Sequence, residues 1–126
     1  MGRAAAFDHL VLVVADPEQS LAWYQHHLGL EGVRVDEWRA GRAPFPSLRV
    51  TADTIIDLIP GDPAGHGHLD HICFVMTVAD LASLRRRDEL VVEEEGQRFG
   101  ARGIADSIYV RDPDDLLVEI RAYPEP

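Results

Sequence analysis

Four side chains, two imidazoles and two carboxylates, sit in matching pairs along this sequence. His9 opens the β-rich run Asp8-His9-Leu10-Val11-Leu12-Val13-Val14, and His71 opens the similar run Asp70-His71-Ile72-Cys73-Phe74-Val75-Met76. Asp57 lies inside Thr54-Ile55-Ile56-Asp57-Leu58-Ile59, and Glu119 inside Leu116-Leu117-Val118-Glu119-Ile120-Arg121. Both pairs are separated by the same 62 residues. Alternate residues of a strand share a face, so each acid interrupts an otherwise apolar strand surface. A carboxylate there costs several kcal/mol unless something pairs with it, and a divalent cation is one such partner. If a pseudo-two-fold relates the halves, His9, His71, Asp57 and Glu119 point at one centre. Two imidazoles with one or two carboxylates suit Zn²⁺, Fe²⁺, Mn²⁺ or Ni²⁺ and leave positions open for a substrate. Taken singly, each is an ordinary residue, a capping or core histidine or an exposed strand acid; the common offset is what joins them.

The elements that must position these residues repeat as well. Asp16-Pro17-Glu18 supplies an N-cap, a proline at the first helical position and an acid in the first turn; Leu21, Tyr24 and Leu28 follow at helical spacing, and Gly29 closes the helix. In the second half Asp80 is the expected N-cap, with Leu81 and Leu84 on one face and an end near Asp88-Glu89. Strands are expected over Gly32–Trp38, Leu48–Thr51 and Thr54–Pro60, then Val91–Glu95, Ile104–Arg111 and Leu116–Ala122. Gly61-Asp62-Pro63-Ala64-Gly65 links the halves, and Asp112-Pro113-Asp114-Asp115 turns a hairpin. The pattern is βαβββ written twice, an α+β chain rather than an alternating parallel one. Half of 126 residues is small for a separate core, so the halves are expected to share one sheet system.

Composition narrows the function classes. Net charge is −10, which speaks against nucleic acid and anionic membranes. All 12 basic residues are Arg; with no Lys there is no Schiff base and no phosphate-loop lysine. One cysteine, Cys73, permits no intrachain disulfide and suits a reducing compartment. The first residues lack a secretory pattern, and no apolar run approaches the roughly 18 residues of a membrane span. The expectation is one soluble, acidic, cytoplasmic domain with a small-molecule substrate.

Four segments carry a resemblance: Phe7-Asp8-His9-Leu10-Val11-Leu12-Val13, Leu69-Asp70-His71-Ile72-Cys73-Phe74, Tyr109-Val110-Arg111-Asp112-Pro113-Asp114, and the helix ending Trp23-Tyr24-Gln25-His26-His27-Leu28-Gly29-Leu30. Together the chain resembles the vicinal oxygen chelate superfamily of glyoxalase I, extradiol dioxygenases, methylmalonyl-CoA epimerase and the fosfomycin and bleomycin resistance proteins. The resemblance covers essentially all of residues 1–126. It implies a single domain of two βαβββ modules, about residues 5–61 and 68–124, forming a cupped, mostly antiparallel sheet around a metal. Position by position, it places metal ligands on His9, His71 and Glu119, and the fourth on Asp57. Relatives usually have Glu or Gln at this fourth position, and Asp is one methylene shorter. Asp115 also departs from the pattern, standing where the hairpin usually carries Gly.

The resemblance implies a divalent ion (Zn, Ni, Fe, Mn or Co), a homodimer as the default assembly, and a glyoxalase-like lyase or isomerase reaction on a molecule with vicinal oxygens. Glu119 or Asp57 would then move the proton. Without Asp57 the set is two His and one carboxylate, as in Fe²⁺ oxygenases, so ring-cleaving dioxygenase chemistry is one alternative. A metal-free, ligand-sequestering binding protein is the other.

Around this set, Tyr109 depends on hairpin register: a two- or four-residue turn pairs Ile108 with Glu119, and an odd-length loop brings Tyr109 opposite it. Trp38, Phe45 and Phe99 are candidate pocket walls, and Arg98, Arg102 and Arg111 candidate holders of an anionic group. Cys73 shares the face of His71, His66 and His68 lie in the linker, and His26 and His27 close the first helix with no assigned role.

Overall fold

A computed structural model describes Gly2, residues 6–64 and residues 69–124. The linker histidines His66 and His68 lie outside the described residues. The chain divides into two compact units, Met1–Ala64 and Gly65–Pro126. Unit 1 runs β1 (His9–Val14), α1 (Pro17–Leu28), β2 (Glu31–Val33), α2 (Val35–Arg39), β3 (Ser47–Thr51) and β4 (Thr54–Pro60). Unit 2 runs β5 (His71–Val75), α3 (Val78–Arg85), β6 (Glu94–Gly100), β7 (Gly103–Arg111) and β8 (Leu117–Ala122).

Each unit holds a four-stranded mixed sheet, ordered β1-β4-β3-β2 in one and β5-β8-β7-β6 in the other. The first and last strands of each module pair in parallel, and the remaining neighbours are antiparallel. The α+β class and the doubled strand order hold, with α2 added in unit 1; the expected single shared sheet is corrected, since each half has its own hydrogen-bonded sheet. The registers repeat the 62-residue offset: Val11 pairs with Asp57 and Cys73 with Glu119, while Ser47 and Tyr109 face the two acids from the other side.

β-Branched runs make the strands, and alternation divides their faces. In unit 1, Leu12, Val14, Leu48, Ile56 and Leu58 are buried on the face that receives Leu21 and Tyr24 of α1. In unit 2, Ile108, Val110, Val118 and Ile120 play that part with Leu81 and Leu84 of α3. Each such side chain contributes about 1.5–3 kcal/mol on burial. The other face of β1 carries His9, Val11 and Val13, all exposed, and that of β5 carries His71, Cys73 and Val75. Packing thus leaves the β1 and β5 edges of the histidine faces accessible, while the acids further in are buried.

Helix α1 begins and ends as its sequence dictates. Asp16 accepts from the Glu18 and Gln19 amides, Pro17 opens the helix, and Gly29 closes it at φ 67°. Three local expectations are corrected. The stretch Gly32–Trp38 is not one strand: β2 stops at Val33, Arg34 turns left-handed at φ 58°, and Val35–Arg39 is helical. The N-cap of α3 is Thr77, whose hydroxyl accepts the Asp80 amide, and the helix ends at Arg85. β6 starts at Glu94 rather than Val91.

The β7–β8 loop has five residues, Asp112 to Leu116, because Arg111 pairs with Leu117. Asp112 Oδ1 accepts the amides of Asp114 and Leu116, both at 2.9 Å, an aspartate turn that sets the loop length. Asp115 sits at φ 70°, the left-handed region that glycine adopts without cost. Replacing it tests this strain. Asp115→Gly is expected to raise stability by about 0.5–1 kcal/mol in thermal unfolding, despite the more flexible unfolded chain; an unchanged or lower transition would contradict it.

Candidate functional site

In unit 1, His9 Nδ1 lies 2.8 Å from Asp8 Oδ2, which leaves Nε2 turned towards Asp57 Oδ2 at 3.9 Å. Asp57 is buried, and its other oxygen is engaged: Ser47 Oγ donates to Oδ1 at 2.6 Å and itself accepts from Arg34 Nη2 at 2.9 Å. Arg34 Nη2 stands 3.6 Å from the same carboxylate oxygen. The left-handed turn at Arg34 separates β2 from α2, close to the sheet position of Ser47, which pairs with Val33.

Unit 2 repeats the arrangement with tighter contacts. His71 Nδ1 lies 2.7 Å from Asp70 Oδ2, and Nε2 is 3.1 Å from Glu119 Oε1. Glu119 is buried, and its Oε2 accepts from Ser107 Oγ at 2.7 Å and Arg121 Nη2 at 2.8 Å. Burial pushes the Glu119 carboxyl up, but the hydrogen bonds from Arg121 and Ser107 outweigh it, so it titrates below the ordinary carboxylate range. The five-residue loop puts Tyr109 opposite Glu119, with its ring edge-on to His71 at 5.9 Å. Burial, then the Glu119 charge, raises the Tyr109 phenol.

The structure therefore brings His9 to Asp57 and His71 to Glu119, each within its own unit. It adds partners that the sequence reading did not name. Asp8 and Asp70 hold the histidine Nδ1 atoms, a carboxylate–histidine pairing that orients the ring and raises the basicity of a metal-ligating imidazole. Their signal was present, since an Asp precedes the His in both halves. Ser47, Ser107, Arg34 and Arg121 carried no such signal, because their roles depend on strand register.

In unit 2 the facing donor atoms of His71 and Glu119 suit a divalent cation. An imidazole that donates its Nδ1 proton to Asp70 presents a lone pair at Nε2, and two lone pairs at 3.1 Å repel unless a proton or cation lies between them. Neighbouring ligand atoms of one ion are typically about 3 Å apart.

Other candidates take ordinary places. Arg111 pairs with Glu93 at 2.7 Å, and Arg98 with Glu94 at 2.9 Å. The Arg102 guanidinium stacks on Tyr123, Phe99 is 84% exposed, and Trp38 lies on α2.

Cys73 is open to solvent beside Glu119 in the sheet. Partial desolvation first, and then the Glu119 charge, push its thiol up to about 11. Iodoacetamide is accordingly expected to alkylate it more than ten-fold slower at pH 8 than an unperturbed thiol. The rate should still be climbing between pH 9 and 11, and a plateau by pH 9.5 would refute the shift.

Comparison with known proteins gives the family and the fold. The family model described as the Glyoxalase/Bleomycin resistance protein/Dioxygenase superfamily matches residues 6–120. Virulence protein STM3117 of Salmonella typhimurium is 29% identical over 120 residues, 92% of this chain and 83% of that protein. Its crystal structure aligns with a TM-score of 0.74 at 26% identity, over 98% of this chain and 100% of that one. Glyoxalase domain-containing protein RDO1 of Mycosarcoma maydis is 30% identical over 122 residues, 94% of this chain and 68% of that protein. Integron cassette protein VCH_CASS1, from the mobile metagenome of V. cholerae, aligns with a TM-score of 0.76 at 25% identity, over 98% and 99% of the two chains. Superfamily members typically bind divalent metals. The chain belongs to the glyoxalase/bleomycin resistance/dioxygenase superfamily.

Proposed function

We propose that this protein is a divalent-metal-dependent, glyoxalase-like enzyme of lyase or isomerase type. Its substrate is a small molecule with vicinal oxygens, and His9, Asp57, His71 and Glu119 are the metal ligands. One observation carries the reading. In both units the buried acid has one oxygen held by a serine and an arginine, while the other faces a histidine Nε2 whose Nδ1 is held by the preceding aspartate. The four ligands fall in two units, so the reading requires the two pairs to share an ion, from one chain or from two copies in a homodimer.

A bound divalent ion at this set supplies Lewis-acid polarisation of a substrate carbonyl and charge stabilisation at the neighbouring oxygen. The chain's own groups divide the remaining work. Glu119, held by the buried Arg121, is the fixed ligand. Asp57 is held through Ser47 and the half-exposed Arg34, and its Oδ2 stands further from its histidine. Asp57 is therefore the weaker ligand, and its Oδ2, when free of the ion, takes a proton from the carbon beside the carbonyl and returns it to the former carbonyl carbon. Tyr109, half-buried next to Glu119, walls the substrate side.

Elemental analysis of protein purified without chelator tests the metal. About one ion per pair of modules is expected, lost in His71→Ala and Glu119→Gln; substoichiometric Zn, Ni, Co, Mn and Fe together would count against the reading. Asp57→Asn tests the division of labour: it should slow deuterium exchange beside the carbonyl of a bound vicinal-oxygen compound by at least about a hundred-fold. Exchange at the wild-type rate would remove Asp57 from proton transfer.

No helix among the described residues is long and apolar enough to cross a membrane.

A further inference from the structure

The two modules differ in what sits two residues beyond the acid. Unit 1 has Ile59 there and unit 2 has Arg121, which is fully buried. Its guanidinium does more than pair with Glu119. Nη2 also donates to the Phe99 carbonyl at 2.7 Å, and Nη1 donates to the Tyr123 hydroxyl at 3.3 Å. That hydroxyl in turn accepts the Arg102 amide at 3.0 Å. Phe99, Gly100 and Arg102 belong to the tip of the β6–β7 hairpin, where Gly100 pairs with Gly103. One side chain thus ties the hairpin tip to the acid. The seat exists because residue 100 has no side chain: a Cβ there would lie 1.6 Å from Arg121 Nη1 and 2.7 Å from the Tyr123 hydroxyl.

We propose that Arg121 is a positioning residue for the metal centre, seated by Gly100 so that the hairpin tip aims Glu119 Oε1 at the ion. This rests on the metal reading of Glu119. Arg121 and Ser107 occupy Oε2, so Glu119 would offer Oε1 to an ion, on the side of His71. Module 1 lacks this device, and its acid is held through Arg34 instead.

Gly100→Ala is the discriminating variant, because it touches neither Glu119 nor any other ligand. Gly100 is not among the glycines held at left-handed φ, so alanine suits its backbone, and what it displaces is the Arg121 guanidinium and the Tyr123 hydroxyl. Arg121→Ile, which installs the module 1 residue, is the companion. Zn²⁺ affinity by chelator competition and the visible spectrum of Co²⁺-loaded protein are the readouts, with circular dichroism of the metal-free proteins as the check on folding. Both variants are expected to fold, to bind Zn²⁺ about ten- to a hundred-fold more weakly, and to give an altered Co²⁺ spectrum. A purely structural role for Arg121 predicts lower stability with wild-type affinity and spectrum, and that result overturns the proposal while leaving the metal reading intact. Wild-type protein that binds no Zn²⁺ or Co²⁺ overturns both. Should Arg121→Ile not fold, Gly100→Ala decides alone.

Discussion

A carboxylate buried in the middle of a strand is the constraint on which this molecule turns. Removing a charge from water costs several kcal/mol unless hydrogen bonds and an opposite charge offset it. The chain meets that cost twice, at Asp57 and Glu119, by the same means: a serine hydroxyl and an arginine on one carboxylate oxygen. The oxygen that remains faces an imidazole. Both sheets keep their apolar side for a helix and carry the acid, its serine and its imidazole on the other, exposed at the histidine strand and buried at the acid.

The halves are alike in backbone and unequal in chemistry. Registers match at the 62-residue offset, yet the residue facing the acid across the antiparallel pair is Ser47 in one unit and Tyr109 in the other. Because Tyr109 takes the facing position, the serine that holds Glu119 comes from Ser107, two residues along the strand. The arginines also enter differently, Arg34 from a left-handed turn on an exposed edge and Arg121 from within the sheet. A duplicated frame has in this way produced one tightly held acid and one held more loosely. The proposed roles follow this division, with Glu119 as the fixed ligand and Asp57 as the group that exchanges a proton.

Much of this was legible in the sequence, because it depends on periodicity and local chemistry. The offset, the two strand faces, the Asp16 cap and the Gly29 stop follow from residue types at fixed spacing. Alternating apolar residues made Gly32–Trp38 resemble a strand, but the left-handed Arg34 ends it and Val35–Arg39 turns helical. Thr77 and Asp80 are both capping types three residues apart, and the first of them wins because its hydroxyl reaches the Asp80 amide. Tyr109 was conditional on loop length, which Asp112 settles by accepting two amides across the turn. The serines and arginines around the acids were not legible, since they depend on cross-strand register.

Both histidine–acid pairs are proposed to serve one ion. Its most direct test is a Zn²⁺ or Co²⁺ titration of chelator-stripped protein alongside His9→Ala and His71→Ala. One ion per pair of modules is expected, with binding severely weakened by either substitution although the two histidines belong to different units. Binding that survives His9→Ala unchanged, or two independent sites lost one at a time, would contradict it.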